Sequence, residues 1–211
     1  MIRCKKIRLK PTREQEILLR RSIGTIRFVF NWGLAKWEEM YKEGLNPNAK
    51  KIKKIFNNTI KKEDEYKWIN EVPSQAIAET FNNLQKAFDN FLNGKAKYPR
   101  FKTKKKSKQS FYVRYDRMNI KEDTVNIEKI GRVKFITNYD IPIQKKYINP
   151  RCHYDGKYWY LTFGFEAYEN QVEADDSICP LNKDLSIGID LGITNLAVVS
   201  NIDSPIKNIN K

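Results

Sequence analysis

Asp190 is the residue whose type and setting most suggest chemistry. It sits in Ser186-Ile187-Gly188-Ile189-Asp190-Leu191-Gly192-Ile193-Thr194-Asn195-Leu196-Ala197-Val198-Val199-Ser200, where an apolar run carrying one carboxylate meets a glycine turn and a second apolar run. The pattern predicts two strands of a hairpin with Asp190 near the bend. Alternation sets Ile187, Ile189 and Leu191 on one face and Gly188 and Asp190 on the other, where the missing glycine side chain leaves a ligand room beside the carboxylate. Three readings are open. Asp190 can simply start a β-turn. It can be the first carboxylate of a nuclease centre that bridges two divalent ions. The Asp-x-Gly-x-Thr spacing also suits the phosphate loop of an ATPase.

The rest of the chain must position this residue and choose among the readings. Charge is the strongest global signal. Over 211 residues, 40 Lys and Arg face 25 Asp and Glu, giving a formal charge of +15 and a pI near 9.6. Residues 165–211 carry three basic and eight acidic side chains, so residues 1–164 hold a net charge of +20. That is the electrostatic footprint of a polyanion binder, and it lies upstream of Asp190. Cys4, Cys152 and Cys179 form no Cys-x-x-Cys pair, so neither a zinc site nor a disulfide framework is written here. No targeting core and no membrane-length apolar run is present, so a cytoplasmic protein with no membrane partner is expected. The single histidine, His153, reads as structural.

Residues 2–10 form a short strand with a basic face, closed by Pro11. Thr12-x-x-Gln15 is a capping-box pattern, and Ile17, Leu18, Ile26, Phe30, Leu34, Trp37 and Tyr41 recur on one side of a helix over 13 to about 43, with Gly24 or Gly33 as candidate interruptions. Residues 46–62 read as a turn followed by a short basic amphipathic helix that carries Lys53 and Lys54. Pro73 with Ser74 as a capping residue predicts the next helix, on which Ile77, Phe81, Leu84, Phe88 and Phe91 repeat until Gly94 stops it. From Lys95 to Arg114 there are nine basic residues and no acid: Lys95, Lys97, Arg100, Lys102, Lys104, Lys105, Lys106, Lys108 and Arg114, interleaved with Tyr98, Phe101, Phe111 and Tyr112. Lysines on phosphates and rings on bases are what such interleaving suits. Strands follow at 111–115, 124–127, 133–135, 147–154 and 157–166, with a hairpin turn at Asp155-Gly156 and alternating faces that suggest a small barrel wall. The acidic stretch 169–184 reads as a linker.

Four ordered motifs together resemble one family. They are Arg27-Phe28-Val29-Phe30-Asn31-Trp32, Val72-Pro73-Ser74-Gln75-Ala76, Tyr98-Pro99-Arg100-Phe101-Lys102 and Gly188-Ile189-Asp190-Leu191-Gly192. The chain resembles the TnpB (OrfB) proteins of insertion sequences, RNA-guided DNA endonucleases related to compact type V CRISPR effectors, over the N-terminal portion of their usual length. The resemblance implies an α+β fold. Residues 1–10 would supply the first strand of a wedge-like β-barrel, 11–94 an inserted helical recognition bundle, 95–168 the basic loop and the rest of the barrel, 169–184 a linker, and 185–211 the first hairpin of an RNase H-like (RuvC-like) nuclease domain, left incomplete.

It also implies function. The partners would be a guide RNA made from the transposon end, double-stranded target DNA and, as a candidate, a separately encoded C-terminal portion. Nucleic acid would meet Lys53, Lys54, Lys97, Tyr98, Arg100, Phe101, Lys102, Lys104, Lys105, Lys106, Lys108 and Arg114. Asp190 would be the first nuclease carboxylate and a magnesium ligand, but one carboxylate cannot hold two magnesium ions, so magnesium belongs to a complete nuclease and the chain alone is not expected to cut. A cleavage-dead DNA-binding regulator and a decayed transposon fragment are the alternatives. An actin-like ATPase is disfavoured, because it needs far more chain after its phosphate loop and no +20 region before it.

Overall fold

The computed structural model describes residues 2–138, 141, 147–166, 187–192, 194–202 and 204–208. Residues 2–166 form one compact unit, and the segment from 167 onward belongs to a second. The linker stretch 169–184, with Cys179, lies outside the described residues.

The first unit joins a helical layer to a curled antiparallel sheet. Strand β1 (Ile2–Lys10) leads into α1 (Arg13–Lys42), α2 (Ala49–Asn58) and α3 (Ser74–Leu92). Then come β2 (Ser110–Tyr112), β3 (Asn119–Lys121), β4 (Thr124–Ile127), β5 (Gly131–Ile136), β6 (Ile148–Tyr154) and β7 (Trp159–Glu166). The sheet order is β2-β6-β7-β1-β5-β4-β3, which leaves β2 and β3 as edges among the described residues. The chain's first strand is therefore the sheet's centre. It pairs with β7 along its length, Ile7 opposite Leu161 and Leu9 opposite Trp159, but with β5 only at Arg8, Leu9 and Lys10. That stagger, with the irregular register between Ile148 and Arg151 in β6, bends the sheet. Ile7, Leu9, Val133, Phe135, Trp159, Leu161, Phe163 and Phe165 are buried by simple alternation.

The helical layer follows its sequence signals with some corrections. The Thr12 hydroxyl accepts from the Gln15 amide at 3.3 Å while the Gln15 side chain accepts from the Thr12 amide at 3.0 Å, so the capping box is formed. Neither Gly24 nor Gly33 interrupts α1, which runs 30 residues without a break. Gly33 is there for space. A Cβ on it would lie 3.0 Å from Leu84 and 3.4 Å from Phe81 of α3. The expected apolar stripe is displaced at its ends: Ile17 and Tyr41 are exposed, and Leu19, Ile23, Val29 and Met40 are buried instead. Trp37 stacks on Phe88 at 4.0 Å, and Phe56 meets both Trp32 and Phe81 edge-on. Ser74 is not a capping residue. Pro73 holds the N-cap position and no side chain caps α3. Gly94 ends it as expected, with φ +68° and its amide on Phe91.

The strand expectations hold with two exceptions. The strand expected over 111–115 ends at Tyr112 and is followed by a 3₁₀ turn at Tyr115–Arg117, and Asn119–Lys121 is an extra strand. At the Asp155-Gly156 turn the Asp155 carboxylate accepts from the amides of Lys157 and Tyr158 at 2.8 and 2.7 Å, which holds that carboxyl below its ordinary range.

The second unit contains β8 (Ile189–Leu191), β9 (Asn195–Val199) and β10 (Ile206–Lys207) in the order β10-β9-β8. Asp190 sits opposite Val198 in the three-residue β8, near the bend and two residues before Gly192. The open side of Gly188 faces Ser200, whose side chain accepts from the Gly188 amide at 2.9 Å.

Candidate nucleic-acid interface

The long basic segment is a built loop, not a solvated tail. Its entry is held by one residue of α1. The Asn31 side-chain amide donates to the Lys102 carbonyl at 2.9 Å, and its oxygen accepts from the Lys102 amide at 2.7 Å. Two motifs 71 residues apart thereby become one feature, and Pro99 is buried beside the junction. Beyond it the chain turns on itself. The Ser107 hydroxyl accepts from the Thr103 amide at 2.9 Å, the Thr103 hydroxyl accepts from the Lys106 amide at 3.2 Å, and Gln109 donates to the carbonyls of Lys104 and Ser107 at 2.7 and 2.8 Å. The Gln109 carbonyl then accepts from Tyr154 of β6. Braced by these bonds, the turn presents Lys104, Lys105, Lys106 and Lys108 as exposed side chains.

Against this loop α1 lays a polar face. Arg20, Ile23 and Arg27 recur at helical spacing and, with Lys104, Gln109, Tyr154 and Trp159, line a cleft of about 180 Å³. Arg20 is placed twice over: its guanidinium is bonded to Glu16 one turn back and lies 4.6 Å above the Tyr154 ring. That bond is the main cause of the depressed Glu16 carboxyl. Arg27 is half-buried and makes no ion pair or hydrogen bond among the described residues. The indole Nε1 of Trp159 is buried on the side of the Glu16 carboxylate, which it helps to hold below its ordinary range. Three cations therefore converge where, among the described residues, the paired carboxylate is Glu16, committed to Arg20.

The predicted contact residues do not form one patch. Lys104, Lys105, Lys106 and Lys108 share the turn, and Lys97, Arg100 and Phe101 are exposed just before it. Others have internal partners. The Lys102 ammonium lies 3.9 Å over the Phe30 ring, and burial, then Arg151, pushes its pKa down. Arg114 is bidentate to Asp116 at 2.6 and 2.7 Å. Tyr98 packs edge-on against Phe88 and Phe91 and donates to Glu38 at 3.3 Å. Phe111 is fully buried, so that ring is not available for stacking on bases. Lys53 and Lys54 lie on α2 and do not line the cleft.

Sequence reasoning missed Arg20 and Arg27 as site candidates, and it missed a cationic sheet face. Lys6 lies 3.9 Å over Tyr160, Arg8 lies 3.4 Å over Tyr158, and His153 stacks on Tyr160. The basic alternation of β1 and the tyrosine alternation of β7 were both legible, but not that the two strands are neighbours. Asp190 is exposed in its own unit, and the described residues contain no group of three or more His, Cys, Asp or Glu side chains suited to a metal ion. Among the described residues of its unit Asp190 is the only carboxylate, and one carboxylate does not fit a pair of magnesium ions.

Comparison with known proteins agrees with the motif reading. The OrfB helix-turn-helix domain model of the IS605 group matches residues 1–46, which in this chain are β1 and one unbroken helix. The chain is 26% identical over 200 residues to "Putative RNA-guided DNA endonuclease InsQ" of Escherichia coli (strain K12), covering 92% of this chain and 46% of that protein. It thus spans about half the length of that relative. It is 32% identical over 113 residues to "Virulence protein VsdF" of Salmonella dublin, covering 49% of this chain and 95% of that protein. A cryo-EM structure of a Cas12f1-sgRNA-target DNA complex aligns over 98% of this chain and 56% of that chain, with 12% identity and a TM-score of 0.45. With the Asn31 and Lys102 motifs joined in the fold, and with the domain model, InsQ and VsdF matched, the chain belongs to the TnpB (OrfB) family of insertion-sequence proteins.

Proposed function

We propose that residues 2–166 form the nucleic-acid-holding part of a cytoplasmic, transposon-encoded RNA-guided DNA endonuclease. In this reading the curled sheet is the wedge-like barrel, α1 to α3 are the recognition bundle, and the partners are a guide RNA from the transposon end and double-stranded target DNA. The observation that carries it is the clamped turn at Thr103–Gln109, braced by Thr103, Ser107 and Gln109 side chains while its lysines are exposed. A loop built that way presents cations at fixed spacing to a phosphate backbone. Asp190 is assigned as the first carboxylate of the nuclease. Magnesium would need further carboxylates beside it, and the chain alone is not expected to cut.

The test is equilibrium binding of the full chain to a labelled structured RNA and to a labelled DNA duplex over a series of salt concentrations. The expected result is an affinity that falls linearly on a log-log plot, by roughly 0.9 per phosphate contacted on duplex and roughly 0.7 on single strands. Salt-insensitive binding, or no binding at low salt, overturns the reading. No helix among the described residues is long and apolar enough to cross a membrane.

A further inference from the structure

The cleft between α1, the basic turn and the β6–β7 corner differs in kind from the exposed lysines around it, and Arg27 shows why. A half-buried guanidinium has lost part of its hydration and needs a replacement, from a carboxylate, a carbonyl or a ligand. Arg27 has none among the described residues. Its neighbours sharpen the demand. Arg20 adds a second positive charge held against Tyr154, and Lys104 a third on a residue whose backbone is fixed by Gln109. Among the described residues, the acid paired with one of the cleft's cations is Glu16, whose Oε1 is taken by Arg20. Ile23, Tyr154 and Trp159 add apolar surface to the walls, beside which a charge pairing is stronger than in open water.

The geometry points to this cleft as the seat of a single phosphodiester group, gripped by Arg27. The inference rests on the nucleic-acid reading above and deepens it by naming the group bound and the residue that binds it. Guanidinium suits the role because its planar fork meets two phosphate oxygens at once, which an ammonium cannot do. Arg20 is pre-oriented by its ring and its carboxylate, so little side-chain freedom is lost when the phosphate enters. The exposed lysines make ordinary screened contacts, whereas this contact is partly desolvated and is fixed in register relative to α1.

The phosphodiester can belong to RNA or to DNA, and the experiment separates the two. Wild-type protein, Arg27→Met, Arg27→Lys and Lys105→Met are titrated, as full chains, with a labelled RNA hairpin and with a labelled random-sequence DNA duplex across a salt series. Arg27→Met is expected to lose about tenfold or more in affinity on one of the two ligands, the source of the bound phosphate. On that ligand its salt slope should shrink by roughly one phosphate's worth. Arg27→Lys should keep the slope, because the charge remains, but lose several-fold in affinity because the fork is gone. Lys105→Met should reduce the slope with only a few-fold loss. If wild type binds with a clear salt slope and Arg27→Met matches it in slope and affinity on both ligands, the phosphate seat is wrong and the broader reading stands. If wild type binds neither ligand, both fall. Circular dichroism checks folding. Should Arg27→Met fail to fold, Arg27→Lys decides, since unchanged affinity on both ligands overturns the seat and a loss at unchanged slope supports it.

Discussion

At the scale of single residues, Asn31 does the most with the least. Its amide satisfies both the carbonyl and the amide of Lys102, each within 3 Å, and so ties the loop to α1. Asn31→Ala leaves both half-buried backbone groups without that partner, and a loss of about 1–3 kcal/mol is expected. Urea unfolding should show the lower midpoint, and trypsin should cut at Lys104, Lys105, Lys106 or Lys108 faster than in wild type. His153 acts through pH. Burial first, then Lys6 and Lys108, lowers its pKa below the ordinary value of 6.5, with Asp155 opposing. Above that value His153 is neutral in both states and costs nothing. As pH falls through it, the unfolded chain takes up the proton first, so stability declines until the folded-state pKa is also passed. His153→Gln should therefore lose less stability than wild type between about pH 7.5 and about pH 5.5 in urea unfolding.

At the scale of elements, α1 carries the architecture. One face packs α3, another borders the basic cleft, and its start is tied to β5 through Gln15, which donates to the Arg132 carbonyl at 2.7 Å. Its two glycines separate propensity from packing. Either change to alanine gains up to about 1 kcal/mol of helix propensity. At Gly24 the added methyl meets only the Arg27 Nη2 at 3.9 Å, so Gly24→Ala should stabilise. At Gly33 it would press on Leu84 and Phe81, both almost wholly buried and unable to yield, and overpacking of about 1–3 kcal/mol should outweigh the gain. Thermal unfolding of the two variants should move in opposite directions. Two shifts in the same direction would mean that propensity alone decides.

At the scale of the whole molecule, the +20 charge of residues 1–164 is sorted by the fold into cations that serve packing and cations that remain available. Lys102, Arg114, Lys6 and Arg8 are held against rings or carboxylates, whereas the lysines of the turn are exposed. The sequence by itself determined what depends on neighbours within a few turns of chain. Thr12 and Gln15 set the start of α1, Gly94 the end of α3, Asp155-Gly156 a hairpin, and alternation the buried face of β7. It also placed the basic run between the helices and most of the strands, and it put Asp190 in a short hairpin strand. Only the tertiary structure decided that β1 lies between β7 and β5, because a strand's spacing records its faces and not its partners. The same limit hid the clasp between Asn31 and Lys102 and the convergence of Arg20, Arg27 and Lys104. Each joins residues far apart in the chain, and the energy that brings them together comes from burying side chains of the shared core, which no local spacing encodes.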